Sequence, residues 1–144
     1  MVETATDSSV KKKVLKGRKL YIPQMAYEGA KFIAAAMRSI GIDAEISPYS
    51  DEKTLELGAK YTSGDECYPE KVTLGDFLKV TELPDFDPNK TAFFMPSAGG
   101  PCRFGQYAGY AQMVMDELGY GDILILSPTS TNSYDEVGEN ATEL

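Results

Sequence analysis

Two cysteines are the side chains best suited to chemistry in this 144-residue chain. Cys67 lies in SGDECYP and Cys102 in SAGGPCRFGQY, and each segment precedes a pattern that predicts a helix. Glycines ahead of a helix let the backbone approach a ligand, and the first helical N–H groups face that ligand. An arginine beside a cysteine, as in Cys102-Arg103, favours the thiolate, which binds metals and acts as a nucleophile. The two segments therefore predict a metal site or a nucleophile.

A core position or a phosphate-binding loop accounts less well for these cysteine segments. Free cysteines are usually small core residues, but Cys67 stands between Glu66 and Tyr68, which is a poor setting for a core position. The string GPCRFG has the outline of a phosphate-binding loop, yet Gln106 and Tyr107 follow where lysine and serine or threonine are needed. Nucleotide hydrolysis is therefore not expected, although a looser nest for an anion such as a coenzyme A phosphate stays open.

Composition excludes several classes of function. The chain contains no histidine, which removes the usual general base, Ser-His and Cys-His pairs, and imidazole metal ligands. A formal net charge of −8 argues against nucleic acid or an anionic membrane as the main partner. Two distant cysteines, no export signal and no apolar run of membrane-spanning length predict a cytoplasmic protein with free or metal-bound thiols.

The elements that must position the cysteines follow from hydrophobic patterning. Residues 18–128 are predicted to form one α/β domain, preceded by a flexible lead-in over 1–17 and followed by an acidic tail over 129–144. Strands are predicted over Lys19–Pro23, Asp43–Ser47, Thr91–Met95 and Ile123–Leu126, and helices over Ala26–Ile40, Asp51–Tyr61, Glu70–Val80 and Tyr107–Gly119. This order predicts an open parallel sheet of the Rossmann or flavodoxin-like type, with strand order 2-1-3-4 and helices on both faces. Its ligand crevice is expected at the carboxyl ends of the strands.

Three local details are also predicted. Ser50 is expected to cap the second helix. Gly75 is expected to mark close packing of the third helix, which buries Val72, Phe77 and Leu78, against a strand. The apolar stripe of the first helix is expected to consist of Ile33, Ala36, Met37 and Ile40.

The segments SGDECYPEKVTLGDFLK and FFMPSAGGPCRFGQY resemble the C-terminal region of large acyl-CoA dehydratase activase proteins, the 2-hydroxyglutaryl-CoA dehydratase activator-related family. That region is itself similar to the cluster-binding subunits of 2-hydroxyacyl-CoA dehydratases. The resemblance covers roughly residues 18–127. It implies a Rossmann-like domain with a [4Fe–4S] cluster, Cys67 and Cys102 as cluster ligands, and a role in passing low-potential electrons within the acyl-CoA dehydratase system.

The chain departs from this family in two ways. It lacks the family's actin-like ATPase module, so we expect no ATP hydrolysis by this chain alone, and it offers two cysteines where the dehydratase subunits usually offer three. A [4Fe–4S] cluster normally takes four thiolates. The remaining ligands would come from a second copy in a homodimer, a larger activase or dehydratase partner, water or substrate.

Around the two thiols we expect residues that contact a substrate, an anion or the cluster's surroundings, namely Gly99, Gly100, Arg103, Gly105, Tyr68 and Tyr107. Two alternatives to the electron-transfer role stay open. One is a non-catalytic binding module that recognises a partner protein or an acyl-CoA. The other is a thiol enzyme that uses Cys102 alone.

Overall fold

A computed structural model describes residues 15–128 of the chain. Residues 1–14 of the predicted lead-in and residues 129–144 of the predicted tail lie outside the described residues. Strands and helices alternate in the order β1 (Lys19–Ile22), α1 (Tyr27–Ser39), β2 (Ala44–Ile46), α2 (Glu52–Lys60), α3 (Tyr68–Thr81), β3 (Thr91–Phe94), α4 (Tyr107–Glu117) and β4 (Leu124–Leu126). Two 3₁₀ turns, Pro88–Lys90 and Arg103–Gln106, precede β3 and α4.

The four strands form one parallel sheet in the order β2-β1-β3-β4, which confirms the predicted fold class and strand order. The order reverses between β1 and β3, because the chain leaves β1 for β2 at one edge and then returns to β3 on the other side of β1. β1 and β3 are adjacent strands, and in their register Tyr21 lies beside Phe93. The loops after β1 and β3 therefore flank the crevice that such sheets use for ligands.

Alternating residues of β1, β3 and β4 belong to core clusters on opposite faces of the sheet. On one face, Leu20 and Ile22 belong to a core cluster with Ala30, Ala34 and Met37 of α1, and Leu15, at the start of the described residues, is buried in this cluster as well. The opposite face carries Tyr21, Phe93 and Met95, which pack with α3 and α4. A stacked pair, Phe77 and Phe93, joins α3 to β3 with ring centroids 4.3 Å apart.

Helices α2 and α3 form a tightly packed pair, and two glycines make this possible. A Cβ atom at Gly75 would lie 2.0 Å from the carbonyl oxygen of Thr54, and one at Gly58 would lie 2.1 Å from that of Lys71. The expectation that Gly75 packs against a strand is therefore wrong, because its backbone approaches α2. The neighbouring side chain of Asp76 is buried and accepts hydrogen bonds from the hydroxyls of Ser50 and Thr54.

The predicted cap of α2 is also wrong by one residue. Asp51 occupies the N-cap, accepts a hydrogen bond from the Thr54 backbone N–H, and its own N–H donates to the Thr54 hydroxyl. This reciprocal pair is a capping box. It leaves the hydroxyl of Ser50 free to reach Asp76 on α3.

Two buried faces differ from the predicted ones. Of the predicted α1 stripe, Met37 is buried and Ile33 and Ile40 are partly buried against the same core cluster, whereas Ala36 is exposed. Ala30 and Ala34 are the further buried residues of this helix. Val72 of α3 is only half-buried.

Among the described residues, no helix is long and apolar enough to cross a membrane.

Candidate functional site

The loop that carries Cys102 follows β3 and is shaped by glycine. Gly100 has φ +92°, in the left-handed region that glycine adopts without strain. At Gly105 a Cβ atom would lie 2.7 Å from the carbonyl oxygen of Ala98, so the turn before α4 rests directly on the loop backbone. Cys102 is the residue that starts this 3₁₀ turn, and its side chain is exposed. The glycines thus hold an accessible thiol just beyond the carboxyl end of β3.

The loop that carries Cys67 is organised by the carboxylate of Glu66. Glu66 accepts hydrogen bonds from the hydroxyl of Ser63 and the backbone N–H of Gly64, which has φ +103°. Backbone N–H groups, its own first and then those of Ser63 and Gly64, lower the pKa of Glu66 to about 2. Cys67 follows as the N-cap of α3, with Pro69 in the first turn of the helix, where its missing N–H costs no hydrogen bond.

Two contacts join these loops to each other. The Sγ atom of Cys67 and the Oη atom of Tyr107, the first residue of α4, lie 2.8 Å apart and share a hydrogen bond. The guanidinium group of Arg103 donates to the backbone carbonyl of Asp65. Because Arg103 and Tyr107 follow the carboxyl end of β3, these two contacts bring the cysteine loops together at this edge of the sheet. The close approach of the two sulfurs stays a prediction.

Tyr107 hydrogen-bonds with Cys67 and starts the helix that follows the Cys102 loop. Its side chain is buried, and Phe104 packs edge-on against its ring at a centroid distance of 5.2 Å. Burial, followed by the hydrogen bond with Cys67 and the charges of Cys67, Glu70 and Cys102, raises the pKa of the Tyr107 phenol. The phenol therefore stays protonated at neutral pH and has a hydrogen to share with sulfur. Hydrogen bonds to sulfur are one of the factors that set the potential of sulfur-ligated iron.

The thiols themselves differ in access. Neither cysteine is part of a disulfide, and Cys67 is half-buried whereas Cys102 is exposed. Cys67 packs against the core cluster that includes Tyr107 and Met95. A reagent from solvent therefore meets Cys102 more readily than Cys67.

Glu66 and Glu70 flank Cys67 in the chain, and Tyr110 lies one helical turn after Tyr107. Glu70, in the first turn of α3, is 5% exposed, and burial together with the charge of Glu66 raises its pKa, while Arg103 opposes that rise. Tyr110 donates to the backbone carbonyl of Tyr61, and burial raises the pKa of its phenol. Glu70, Tyr107 and Tyr110 line a small cavity of about 10 Å³ between α3 and α4.

The remaining predicted site residues, Tyr68, Gly99 and Gly100, are exposed to solvent. The ring of Tyr68 is 64% exposed, although the residue is the chain neighbour of Cys67. Gly99 and Gly100 are exposed, and a Cβ atom at Gly99 would meet no atom within 4 Å. Thus Arg103, Gly105 and Tyr107 have definite roles in positioning the site, whereas nothing in the packing explains why residue 99 is a glycine.

Sequence reasoning did not assign Glu70, Asp65, Glu66 or Tyr110 to the site. Acids at the start of a helix are common because they complement its dipole, so Glu70 carried no distinctive signal. What sets Glu70 apart is its burial, which depends on how α4 packs over α3. The only available hint was the position of Glu70 in the turn that follows Cys67.

The described residues fit part of a [4Fe–4S] ligand set. They place two free thiols on adjoining loops, which is the donor chemistry that iron–sulfur clusters use. Within residues 15–128, however, no group of three or more His, Cys, Asp and Glu side chains is placed to hold a metal ion. One chain therefore supplies two thiolates, half of the usual number.

In comparisons with known proteins, no protein-family model matches the chain, and no curated protein or solved structure matches it significantly.

Proposed function

We propose that the edge formed by the Cys67 and Cys102 loops is an iron–sulfur site, and that the chain acts in electron transfer or activation within an acyl-CoA dehydratase system. The observation that supports this most directly is the junction of the two loops through Cys67–Tyr107 and Arg103–Asp65. Two free thiols on loops that touch each other suit shared ligation better than two isolated core cysteines would. The resemblance of both segments to activase-related proteins suggests that the chemistry is low-potential electron transfer through a [4Fe–4S] cluster.

Each residue of the site has a part in this proposal. Cys67 and Cys102 would hold a [4Fe–4S] cluster, which when bound supplies reversible one-electron transfer. With Cys67 bound to the cluster as a thiolate, Tyr107 would donate the hydrogen bond to its sulfur and offset its negative charge. Arg103 adds a positive charge beside Cys102, which also opposes the accumulation of negative charge at the site.

The proposal places the protein in the reducing cytoplasm, where free thiols persist. Because the chain supplies two thiolates, the other ligands would come from a second copy, a larger activase or dehydratase partner, water or substrate. In this scheme residues 1–144 do not themselves hydrolyse ATP, since the glycine loop lacks the lysine and hydroxyl residues of a phosphate-binding loop.

Anaerobic purification followed by iron and sulfide analysis tests the proposal. We expect brown protein after reconstitution, with iron and sulfide in equal amounts and an electron paramagnetic resonance signal after reduction. Cys102→Ser should abolish iron uptake. Ser97→Ala is its matched control, because it alters the same loop without removing a thiol. Colourless protein that takes up no iron anaerobically, even after reconstitution, would refute the iron–sulfur role.

The second candidate function is a binding module that recognises a partner protein or an acyl-CoA with the same edge. The exposed backbone of Gly99 and Gly100 beside Arg103 favours it, since backbone N–H groups and a guanidinium suit an anionic group such as a phosphate. Titration of the iron-free protein with coenzyme A separates the two candidates. Saturable binding that Arg103→Gln weakens would support the binding module.

A further inference from the structure

A groove of about 500 Å³ lies between α1 and β2, the outermost strand at one edge of the sheet. Its apolar lining consists of Phe32, Ala34 and Ala35 of α1 and Ile46 of β2. Four charged side chains complete the lining, namely Glu28, Lys31, Arg38 and Glu45. The groove therefore joins an apolar floor to a rim with two acids and two bases.

Phe32 is the most exposed of the large apolar side chains in residues 15–128, at 76%. It lies in the middle of α1, where its neighbours Ala35 and Ala36 are exposed as well. The ring has no polar atom for water to hydrogen-bond, and it stands beside the apolar floor of the groove. An exposed ring next to an apolar groove forms one continuous surface of the kind that marks a protein interface.

The edge of β2 is not free to pair with an added strand. Arg38 donates to the backbone carbonyl of Ala44 at 2.7 Å, so a side chain of the same protein already occupies part of this edge. Side chains that cover an edge in this way disfavour strand pairing between molecules. The groove is therefore suited to a side chain or a helix face of its occupant.

The charges along α1 complement themselves when two copies of the helix run antiparallel. Glu28 and Arg38 are ten residues apart, and the midpoint between them is Ile33. In an antiparallel pair centred there, Glu28 of each copy lies opposite Arg38 of the other. Phe32 is one position from the midpoint, so the ring of each copy falls beside Ala35 of the other. A parallel pair would instead place like charges opposite each other.

The two complementary charges are accessible to a second copy. Glu28 is exposed, and its contact with Lys31 at 3.5 Å is a surface ion pair, which stabilises a protein little. Arg38 is exposed, and its guanidinium has further donors beyond the one that reaches β2. Glu45, the other acid of the rim, is already paired with Lys19 at 2.8 Å, so Glu28 is the acid that suits an intermolecular contact.

We propose that this face of α1 binds a second copy of the chain, with the two α1 helices antiparallel across a twofold axis near Ile33. Each copy then offers both the Phe32 ring and the groove that receives it, which is the self-complementarity of a twofold contact. The face is small, so we expect a dissociation constant of about 0.1–1 mM, weaker than that of standard-sized interfaces. Iron-free protein at micromolar concentration therefore stays mainly monomeric. The contact shares no residue with the thiol edge and does not depend on the proposed function.

Reversed charges test this arrangement in the full, iron-free chain under reducing conditions. Glu28→Arg places positive charges opposite each other at both contacts of the pair, and Arg38→Glu does the same with negative charges. Each variant alone should therefore stay monomeric at millimolar concentration. An equimolar mixture of the two variants has opposite charges at both contacts and should associate about as tightly as the parent does. Sedimentation equilibrium and concentration-dependent amide shifts of the ¹⁵N-labelled chains measure the association.

Removing the ring tests the apolar part of the contact. Phe32→Ala should weaken self-association of the parent by about 10-fold or more, because twofold symmetry removes the ring twice. Met113→Ala is its matched control, since it shortens an exposed apolar side chain on α4 and should leave association unchanged.

Three outcomes overturn the proposal. The groove belongs to another occupant if the parent shows no concentration-dependent shifts in α1 and β2 up to millimolar concentration. The antiparallel pairing of charges is wrong if the mixture of Glu28→Arg and Arg38→Glu stays monomeric while the parent associates. The face itself is wrong if Phe32→Ala associates as tightly as the parent does. Amide spectra of the separate variants show that each one is folded.

Discussion

The thiol of Cys67 and the phenol of Tyr107 lie 2.8 Å apart, although 40 positions separate them in the chain. This hydrogen bond connects the N-cap of α3 to the first residue of α4. Because the phenol is buried and held in place by Phe104, it fixes where the sulfur of Cys67 lies relative to the Cys102 loop. The relationship makes Tyr107 a positioning residue for the site.

The two thiols should react at different rates. In the iron-free protein, iodoacetamide should modify Cys102 first, because Cys102 is exposed and Cys67 is half-buried against Tyr107. Tyr107→Phe should increase the modification of Cys67 and leave Cys102 little changed. Mass spectrometry of samples quenched over time measures both rates. Protein unfolded in guanidinium should lose the difference, and faster modification of Cys67 in the folded parent would contradict the assignment.

Arg103 should stabilise the Cys67 loop through its hydrogen bond to the Asp65 carbonyl. We expect Arg103→Gln to speed amide hydrogen exchange over residues 63–67 several-fold, because that loop loses its link to the turn before α4. Arg38→Gln is a matched control, since Arg38 donates to the Ala44 carbonyl far from this edge. Equal exchange at residues 63–67 in the parent and Arg103→Gln would show that the contact does not order the loop.

Glycine-to-alanine substitutions in helices should have opposite effects at different positions. Gly75→Ala should destabilise the fold by about 3 kcal/mol, because its Cβ atom would overlap the Thr54 carbonyl and force α2 away from α3. Gly29→Ala in α1 should instead stabilise it by about 0.5–1 kcal/mol, since its Cβ atom meets only Ala26 Cβ at 3.6 Å. Urea unfolding measures both changes, and similar effects at the two sites would disprove the packing argument.

The sheet was predictable from sequence because three strands are short apolar runs between helix signals, and β2 (Ala44–Ile46) alternates apolar and polar residues. The order β2-β1-β3-β4 then follows from chain reversal. Contacts between helices were not predictable in the same way. Gly75 signals a close approach, but only the packed structure shows that the approaching backbone is Thr54 of α2 and not a strand.

The candidate site was predictable in its residue types but not in its connections. Cysteine, arginine and glycine beside helix starts identified the two loops. The Cys67–Tyr107 hydrogen bond and the burial of Glu70 depend on the angle at which α4 packs on α3, which hydrophobic periodicity does not encode. The prediction of Ser50 as the α2 cap failed for a related reason, because the Ser50 hydroxyl instead donates a hydrogen bond to Asp76 on α3.

Stability should fall with rising pH through the titration of Asp76. Burial raises its pKa above the ordinary 3.8, despite hydrogen bonds from Ser50 and Thr54 that lower it. A carboxyl group whose pKa is raised in the folded state contributes most below its unfolded pKa and loses that contribution as pH rises through the folded value. Asp76→Asn cannot titrate, so the unfolding free energy of the parent minus that of Asp76→Asn should be larger at pH 4 than at pH 8. Urea unfolding at pH 4 and pH 8 measures this difference in unfolding free energy. A larger difference at pH 8 than at pH 4 would contradict the prediction.

Assembly of the protein should follow from the number of cluster ligands. One chain supplies Cys67 and Cys102, and a [4Fe–4S] cluster takes four thiolates, so a twofold pair of chains completes the set. Such a pair would bring both cysteine edges to one interface, where the exposed ring of Tyr68 and the exposed Pro101 would be covered. Cluster loading and association should therefore be linked.

Anaerobic sedimentation velocity of the reconstituted protein should show a dimer, and the iron-free protein should be mainly monomeric. Cys102→Ser should abolish iron uptake and dimer formation together, whereas Ser97→Ala, in the same loop, should retain both. The shared site is wrong if Cys102→Ser binds iron as the parent does. A monomer that carries the full cluster would remove the homodimer alone and assign the remaining ligands to water or substrate. A chain that loads a cluster only with a larger activase or dehydratase subunit would assign the missing thiolates to that subunit.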